Sequence, residues 1–226
     1  MQRYNMFNQI HKGLRALLYE TALDIQHADF WNVEEVEKII ERVQEVVNLF
    51  EKHAFSEDSY VFPAIEKYEP SVADAFEQEH VKDHLLGELL TSSLSSYKNA
   101  AIITEKAEAG KQVYAAYVKF MAFNLEHMGK EEEIINPLLW RYYTDAELMA
   151  ITQEIVSHIP QEHLALTSKW MIRGLNNLEI ASWLRAVERT APEQVFRGLF
   201  ATAEKELTKK RFRQVLEMMT GGAMVA

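Results

Sequence analysis

His53-Ala54-Phe55-Ser56-Glu57-Asp58 returns 74 positions later as His127-Met128-Gly129-Lys130-Glu131-Glu132, and this repeat decides how the chain folds. The same offset carries Pro63 to Pro137 and Tyr68 to Tyr142, while His11 stands 73 positions before His84. Coincidence at so many spaced positions points to two related helical hairpins, each ending in a histidine–carboxylate pair followed by a proline bend. On a helix of 3.6 residues per turn, residues four apart lie one above the other on one face. His53 with Glu57, His80 with His84, and His127 with Glu131 can therefore each grip one centre from one helix, and His11 adds a donor from the first.

Working outward from these pairs, helical periodicity dominates. Phe7, Ile10, Leu14, Leu17, Leu18 and Leu23 predict a first helix over about Asn5 to Gln26, with a loop from His27 to Asn32. A second helix runs from Val33 towards Tyr60 on Val36, Ile39, Ile40, Val43, Val46, Val47 and Phe50. Pro63 should bend or end it, because proline lacks the amide a helix interior needs. Glu69-Pro70-Ser71 reads as a break with Ser71 capping a third helix through Tyr97 or beyond. Ala109-Gly110 reads as the next break, before a fourth helix carrying Tyr114, Tyr117, Val118, Met121, Leu125 and Met128. Thr144-Asp145-Ala146-Glu147 fits a capping box, so a new helix starts there. Residues 145–226 then predict four or five shorter helices, punctuated by Pro160, Asn176-Asn177 and Pro192. The fold class expected is all-α: a four-helix up-down bundle over 1–144, followed by a smaller helical region over 145–226.

Composition narrows the chemistry. With no cysteine among 226 residues, disulfide scaffolds, thiol catalysis and cysteine-held metal clusters are excluded, so any metal is held by nitrogen and oxygen. Only 8 Gly and 5 Pro interrupt the chain, which favours long helices. No apolar stretch is long enough to span a membrane and the first residues do not read as a signal peptide, so a cytoplasmic location is expected. Up to Asp145 there are 14 basic and 25 acidic side chains, a net of −11. Such a surface repels phosphate, so nucleic acid is not expected as a partner. The basic run Lys209, Lys210, Arg211 and Arg213 reads as a solvated helix face.

The donor arithmetic then points to two ions. If Glu57 and Glu131 each bridge, they make four bonds and His11, His53, His80, His84 and His127 make five. A bridging oxygen adds two, giving eleven where two octahedral ions need twelve. One position stays open for a small molecule, which suits iron or manganese better than a closed structural zinc site.

Here the residues resemble the haemerythrin-like, or HHE cation-binding, family. Its pattern is a histidine on the first helix, His-x3-Glu on the second, His-x3-His on the third, and histidine with a carboxylate on the fourth. His11, His53 with Glu57, His80 with His84, and His127 with Glu131 match it over about residues 5–145. Oxygen-carrying haemerythrins end with an aspartate five residues after the last histidine, whereas this chain has Glu131 at four and Glu132 at five, which leaves Glu132 as the alternative ligand. A glutamate at four is closer to bacterial iron-cluster repair proteins of the superfamily, but those usually lack the second histidine of the third helix. The resemblance implies two iron ions with a bridging oxo or hydroxo group (manganese or zinc as substitutes). It also implies binding or sensing of a diatomic ligand such as O2 or NO. The alternative is a di-iron enzyme or repair protein acting on NO or peroxide, or donating iron, so whether the chain is an enzyme stays open.

A lone His-x3-Glu is usually a surface ion pair. Here the repetition, the His80–His84 pair and His11 argue against that, since five inward histidines are costly to bury without partners. A ferritin-like site needs two Glu-x-x-His motifs, and only Glu77-x-x-His80 is found in the bundle. His27, His158 and His163 are expected to be ordinary surface or satisfied residues, and Tyr114 and Tyr117 to be packing residues.

Overall fold

A computed structural model describes residues 3–221. It is helical from end to end, with no strand among the described residues. Helix α1 spans Asn8–His27 and α2 spans Val33–Ser56. Asn32 caps α2 by accepting from the Glu35 amide, and Glu34 and Glu35 place negative charge at the positive helix end. Helix α4, Pro70–Asn99, opens with Pro70 in its first turn, where the missing amide would have no helical partner. Its cap position is Glu69, so Ser71 lies inside the first turn rather than capping it.

Helix α5, Ile103–Lys130, corrects the expected break at Ala109-Gly110. The turn falls at Ala100–Ile102, where no glycine or proline announces it; there Glu105 accepts from the Ala101 amide at 3.1 Å. Gly110 serves packing instead. A Cβ on it would meet ring atoms of Phe30 at 2.2 Å, so only glycine lets that ring approach the helix.

The two repeats end alike. After the second and fourth bundle helices the chain widens into π turns, Glu57–Val61 and Glu131–Ile135, which occupy equivalent places in the two hairpins. The amides of Phe62 and Asn136 reach back five residues to the carbonyls of Glu57 and Glu131. Short helices α3 (Phe62–Glu66) and α6 (Asn136–Tyr142) follow, with Pro63 and Pro137 in their first turns. Proline thus widens the helix rather than ending it, because at the start of a new segment its missing amide costs little. The repeated tyrosines, Tyr68 and Tyr142, stack with centroids 4.2 Å apart and planes at 3°.

Helix directions follow from the cross-links. Early residues of α4 meet late residues of α5 (Glu79 with Lys130, Asp83 with Asn124), so the two are antiparallel. An Asp24–Arg42 ion pair ties the end of α1 to α2, and the Tyr117 hydroxyl donates to Leu18 O at 2.8 Å across to α5. The buried seam of α4 runs Ala73, Phe76, His80, Asp83, Gly87, Leu90, Leu94, Tyr97, in alternating steps of three and four. That of α5 runs Gly110, Val113, Tyr117, Phe120, Asn124, His127 with the same alternation. Tyr114 falls off this seam and is 41 % exposed.

Contacts divide the chain into two compact units: residues up to Phe7 with Leu17–Ser157, and Asn8–Ala16 with the residues from His158 onward. The first holds α2, α4, α5 and the later part of α1. It extends beyond residue 144, because Leu148 of α7 (Asp145–His158) is buried with Phe7, Val61, Phe62, Phe76, Ile135 and Leu139. The Thr144–Glu147 capping box forms: the Thr144 amide donates to Glu147 Oε2 at 2.7 Å, and the Glu147 amide to Thr144 Oγ1 at 3.3 Å.

The second unit contains α8 (Gln161–Gly174), α9 (Asn177–Thr190), α10 (Glu193–Glu206) and α11 (Lys209–Met219). With α7, these helices start every sixteen residues. Pro160, Asn176 and Pro192 stand at the start of α8, α9 and α10, as their punctuating role predicts. Ile172, Ile180, Leu184, Ala203 and Val215 form the unit's core. Among the described residues, no helix is long and apolar enough to cross a membrane.

Candidate metal centre

Four donors of the bundle converge. Glu57, His80, His127 and Glu131 are all buried, and one ligand atom from each lies within 4.8 Å of the others. His11, His53, Glu57 and Glu131 form a second such group. His11 stands near the start of α1 and is fully buried. Both groups contain Glu57 and Glu131, the glutamates that open the two π turns.

Separations fit a cation better than hydrogen bonds. His53 Nε2 lies 3.2 Å from Glu57 Oε1, and His127 Nε2 lies 3.2 Å from Glu131 Oε1. His80 Nε2 is 3.5 Å from Glu57 Oε2 and 3.9 Å from Glu131 Oε1. Donors held about 2.1 Å from one ion at right angles lie about 3 Å apart. Buried His127 Nε2 finds no hydrogen-bond partner despite its nearness to the carboxylate. Two buried carboxylates facing nitrogen lone pairs are costly unless positive charge sits among them.

Outer carboxylates orient two of the rings. His80 Nδ1–H donates to Asp58 Oδ1 at 2.7 Å, and His127 Nδ1–H donates to Glu79 Oε2 at 2.9 Å. A proton fixed on Nδ1 leaves Nε2 to face the cluster, as in metal sites whose histidines are held from behind. Lys130 Nζ in turn donates to Glu79 Oε1 at 2.9 Å. Burial pulls the His80 imidazole down, yet Asp58 and Glu57 outweigh it and lift it to about 10. Burial likewise opposes, and Glu131 and Glu79 reverse, the shift of His127, which ends raised. The glutamates and outer carboxylates thus favour positive charge at these rings, and a metal bound there would supply that charge in place of protons.

His84 is not brought into the cluster. Its side chain is 62 % exposed, with Nε2 3.4 Å from Glu88 Oε1 on the outer face of α4. The reason is the seam: after His80 the inward step is three, which selects Asp83, so the residue at four turns outward. The true counterpart of His11 is then His80. Phe7-x3-His11 and Phe76-x3-His80 match at an offset of 69, and in both the phenylalanine is buried. Glu131, not Glu132, is the fourth-helix carboxylate of both donor groups. Asp58, Glu79, Asp83 and Asn124 are polar groups of the centre's surroundings that histidine spacing does not reveal. The seam's alternation would have disclosed Asp83 and Asn124. Among the described residues, His27, His158 and His163 belong to no donor group.

Each half of the repeat supplies a buried histidine and a His-x3-Glu pair to donor groups that share Glu57 and Glu131, an arrangement compatible with metal binding in a four-helix bundle. The chain belongs to the Hemerythrin HHE cation binding domain family, whose model matches residues 3–139. Among curated proteins it is similar to F-box/LRR-repeat protein 5 of Mus musculus, 23% identical over 82% of this chain and 25% of that protein. The same protein of Bos taurus is 22% identical over 83% of this chain and 25% of its own length. A BRUTUS-like zinc finger protein of Arabidopsis thaliana is 22% identical over 83% of this chain and 15% of its own. The chain thus spans a quarter or less of these relatives. No solved structure matches it significantly.

Proposed function

We propose that the bundle holds two metal ions, iron by preference, bridged by Glu57 and Glu131, and that these ions bind a small molecule such as O2 or NO. The carrying observation is that two donor groups share both glutamates while each has its own pair of histidines. One ion would take His11 and His53, the other His80 and His127. Imidazole and carboxylate donors suit iron or manganese. Four imidazoles and two bridging carboxylates make eight bonds where two six-coordinate ions need about twelve, so the centre has more open positions than a set including His84 would leave. Iron bound there supplies reversible uptake of a diatomic molecule. The protein's part is to hold the rings, exclude bulk water and keep the two ions adjacent.

One observation favours a second reading. Without His84, the donor set loses the feature that set it apart from the iron-cluster repair pattern, which supports reaction with NO or peroxide, or release of iron. Metal analysis of the purified chain, with optical spectra before and after reduction and on re-exposure to air or NO, tests both. Two irons per chain and a reversible spectral cycle support sensing. Repeated consumption of NO or peroxide with an electron donor supports the enzyme, and a chain that takes up no transition metal overturns both.

Two expectations follow for single residues. His84→Ala keeps the full metal content of the parent, since the ring is on the surface; metal loss on that change would place His84 in the centre after all. Asp58→Ala or Glu79→Ala lowers metal affinity about 10- to 100-fold without removing a ligand, because each holds an imidazole from behind. Competition with a chelator of known affinity measures it.

A further inference from the structure

Asp83 and Asn124 are 5 % and 1 % exposed inside the bundle and belong to neither donor group. Asn124 Nδ2 donates to Asp83 Oδ1 at 2.6 Å and to Phe120 O at 3.1 Å. Asp83 follows His80 by three residues, and Asn124 precedes His127 by three, a rise of about 4.5 Å in each helix. Because α4 and α5 are antiparallel, both steps lead the same way. The pair therefore forms the next layer of the seam, on the side of the α4–α5 turn.

Nothing in the bundle's construction demands polar groups here. The first hairpin has Leu14 and Phe50 at the equivalent positions, by the offsets of 69 and 74 that align the histidines. Burying an acid and an amide where the repeat uses a leucine and a phenylalanine is costly. One layer on, Gly87 interrupts a 30-residue helix, at about 0.5–1 kcal/mol relative to alanine. A Cβ there would meet Val47 and Phe120 at 3.7 and 3.8 Å, ordinary contact, so close packing does not require glycine. Burial pushes the Asp83 carboxyl up, against the opposing hydrogen bond of Asn124, toward the form that can donate.

Resting on the dinuclear reading above, we propose that Asp83, oriented by Asn124, is a positioning residue that hydrogen-bonds a small anionic or oxygen-terminated molecule bound at the metals.

Azide on the iron-loaded full chain tests this, read by titration of its optical band and by the infrared stretch of bound azide in light and heavy water. The parent's azide stretch shifts in heavy water. Asp83→Leu, which installs the residue of the first hairpin, keeps both irons, binds azide about tenfold more weakly and loses that shift. Asp83→Asn retains an N–H donor, binds azide within about threefold of the parent and shows a smaller shift. Unchanged affinity and shift in Asp83→Leu overturn the proposal. So does an iron-loaded parent that binds no azide, or an Asp83→Asn that matches either Asp83→Leu or the parent in its shift. If Asp83→Leu does not fold, the Asp83→Asn spectrum decides. A parent that takes up no iron overturns the dinuclear reading itself, whereas normal iron with an indifferent Asp83 overturns only this inference.

Discussion

If Glu57 and Glu131 bridge two ions as proposed, Glu131→Gln is expected to weaken the binding of both, whereas a change at a single histidine weakens only one. Glu131 is completely buried and supplies a donor atom to both groups, as Glu57 does. Glutamine keeps the size of the side chain but removes the negative charge that draws a cation and the second oxygen that can bridge. Metal content is expected to fall from two ions per chain to below one. With it goes the stabilisation that bound metal confers on the folded state, about 4 kcal/mol for each site loaded at a thousand times its dissociation constant. His127→Ala touches one donor group only, so one ion is lost first and the other persists to higher chelator concentration. Inductively coupled plasma analysis with thermal unfolding of loaded and stripped samples checks both halves. Two independent mononuclear sites would give the reverse ranking, with Glu131→Gln costing no more than a histidine change.

What the chain discloses without a structure depends on whether the signal is local. His53-x3-Glu57 and His127-x3-Glu131 are legible because both residues of each pair are on one helix and recur at a fixed offset. His84 misleads for the same reason. On an isolated helix a partner at four is as good as one at three, and only the seam set by Ala73, Phe76, Leu90 and Leu94 shows that the inward step from His80 is three. Asp83 and Asn124 follow that seam and carry no mark in the histidine spacing. Ala109-Gly110 looks like a turn because glycine carries the same mark for a chain break and for a close approach; the deciding group is Phe30, far away in sequence. The π turns have no residue signature of their own beyond the prolines that follow them. The capping boxes at Thr144 and Asn176, by contrast, are complete within four residues, so the sequence alone carries them.

Gly174→Ala is expected to destabilise the C-terminal unit more than any other single methyl addition at a described glycine. Gly174 ends α8 against the start of α1, and a Cβ on it would come within 2.1 Å of Lys12 O and 2.5 Å of Lys12 C. These are backbone atoms, so no side-chain rotation relieves the overlap. The contact is reciprocal: a Cβ on Gly13 would meet Met171 N at 2.8 Å. Two glycines therefore let α1 and α8 cross at backbone distance, and the crossing is held by Glu179. That carboxylate accepts from Lys12 Nζ at 2.5 Å and from Asn8 Nδ2 at 3.1 Å, and its other oxygen accepts from the Asn176 amide at the start of α9. Forcing the helices apart breaks these bonds together with the packing around Ile172 and Leu175, so a loss of about 1–3 kcal/mol or somewhat more is expected. Gly198→Ala supplies the contrast. Its Cβ meets nothing within 4 Å, in the interior of α10, so removing glycine there should stabilise by about 0.5–1 kcal/mol. Urea unfolding of the two variants beside the parent decides it. Equal shifts of the same sign would mean that α1 and α8 do not meet through Gly13 and Gly174.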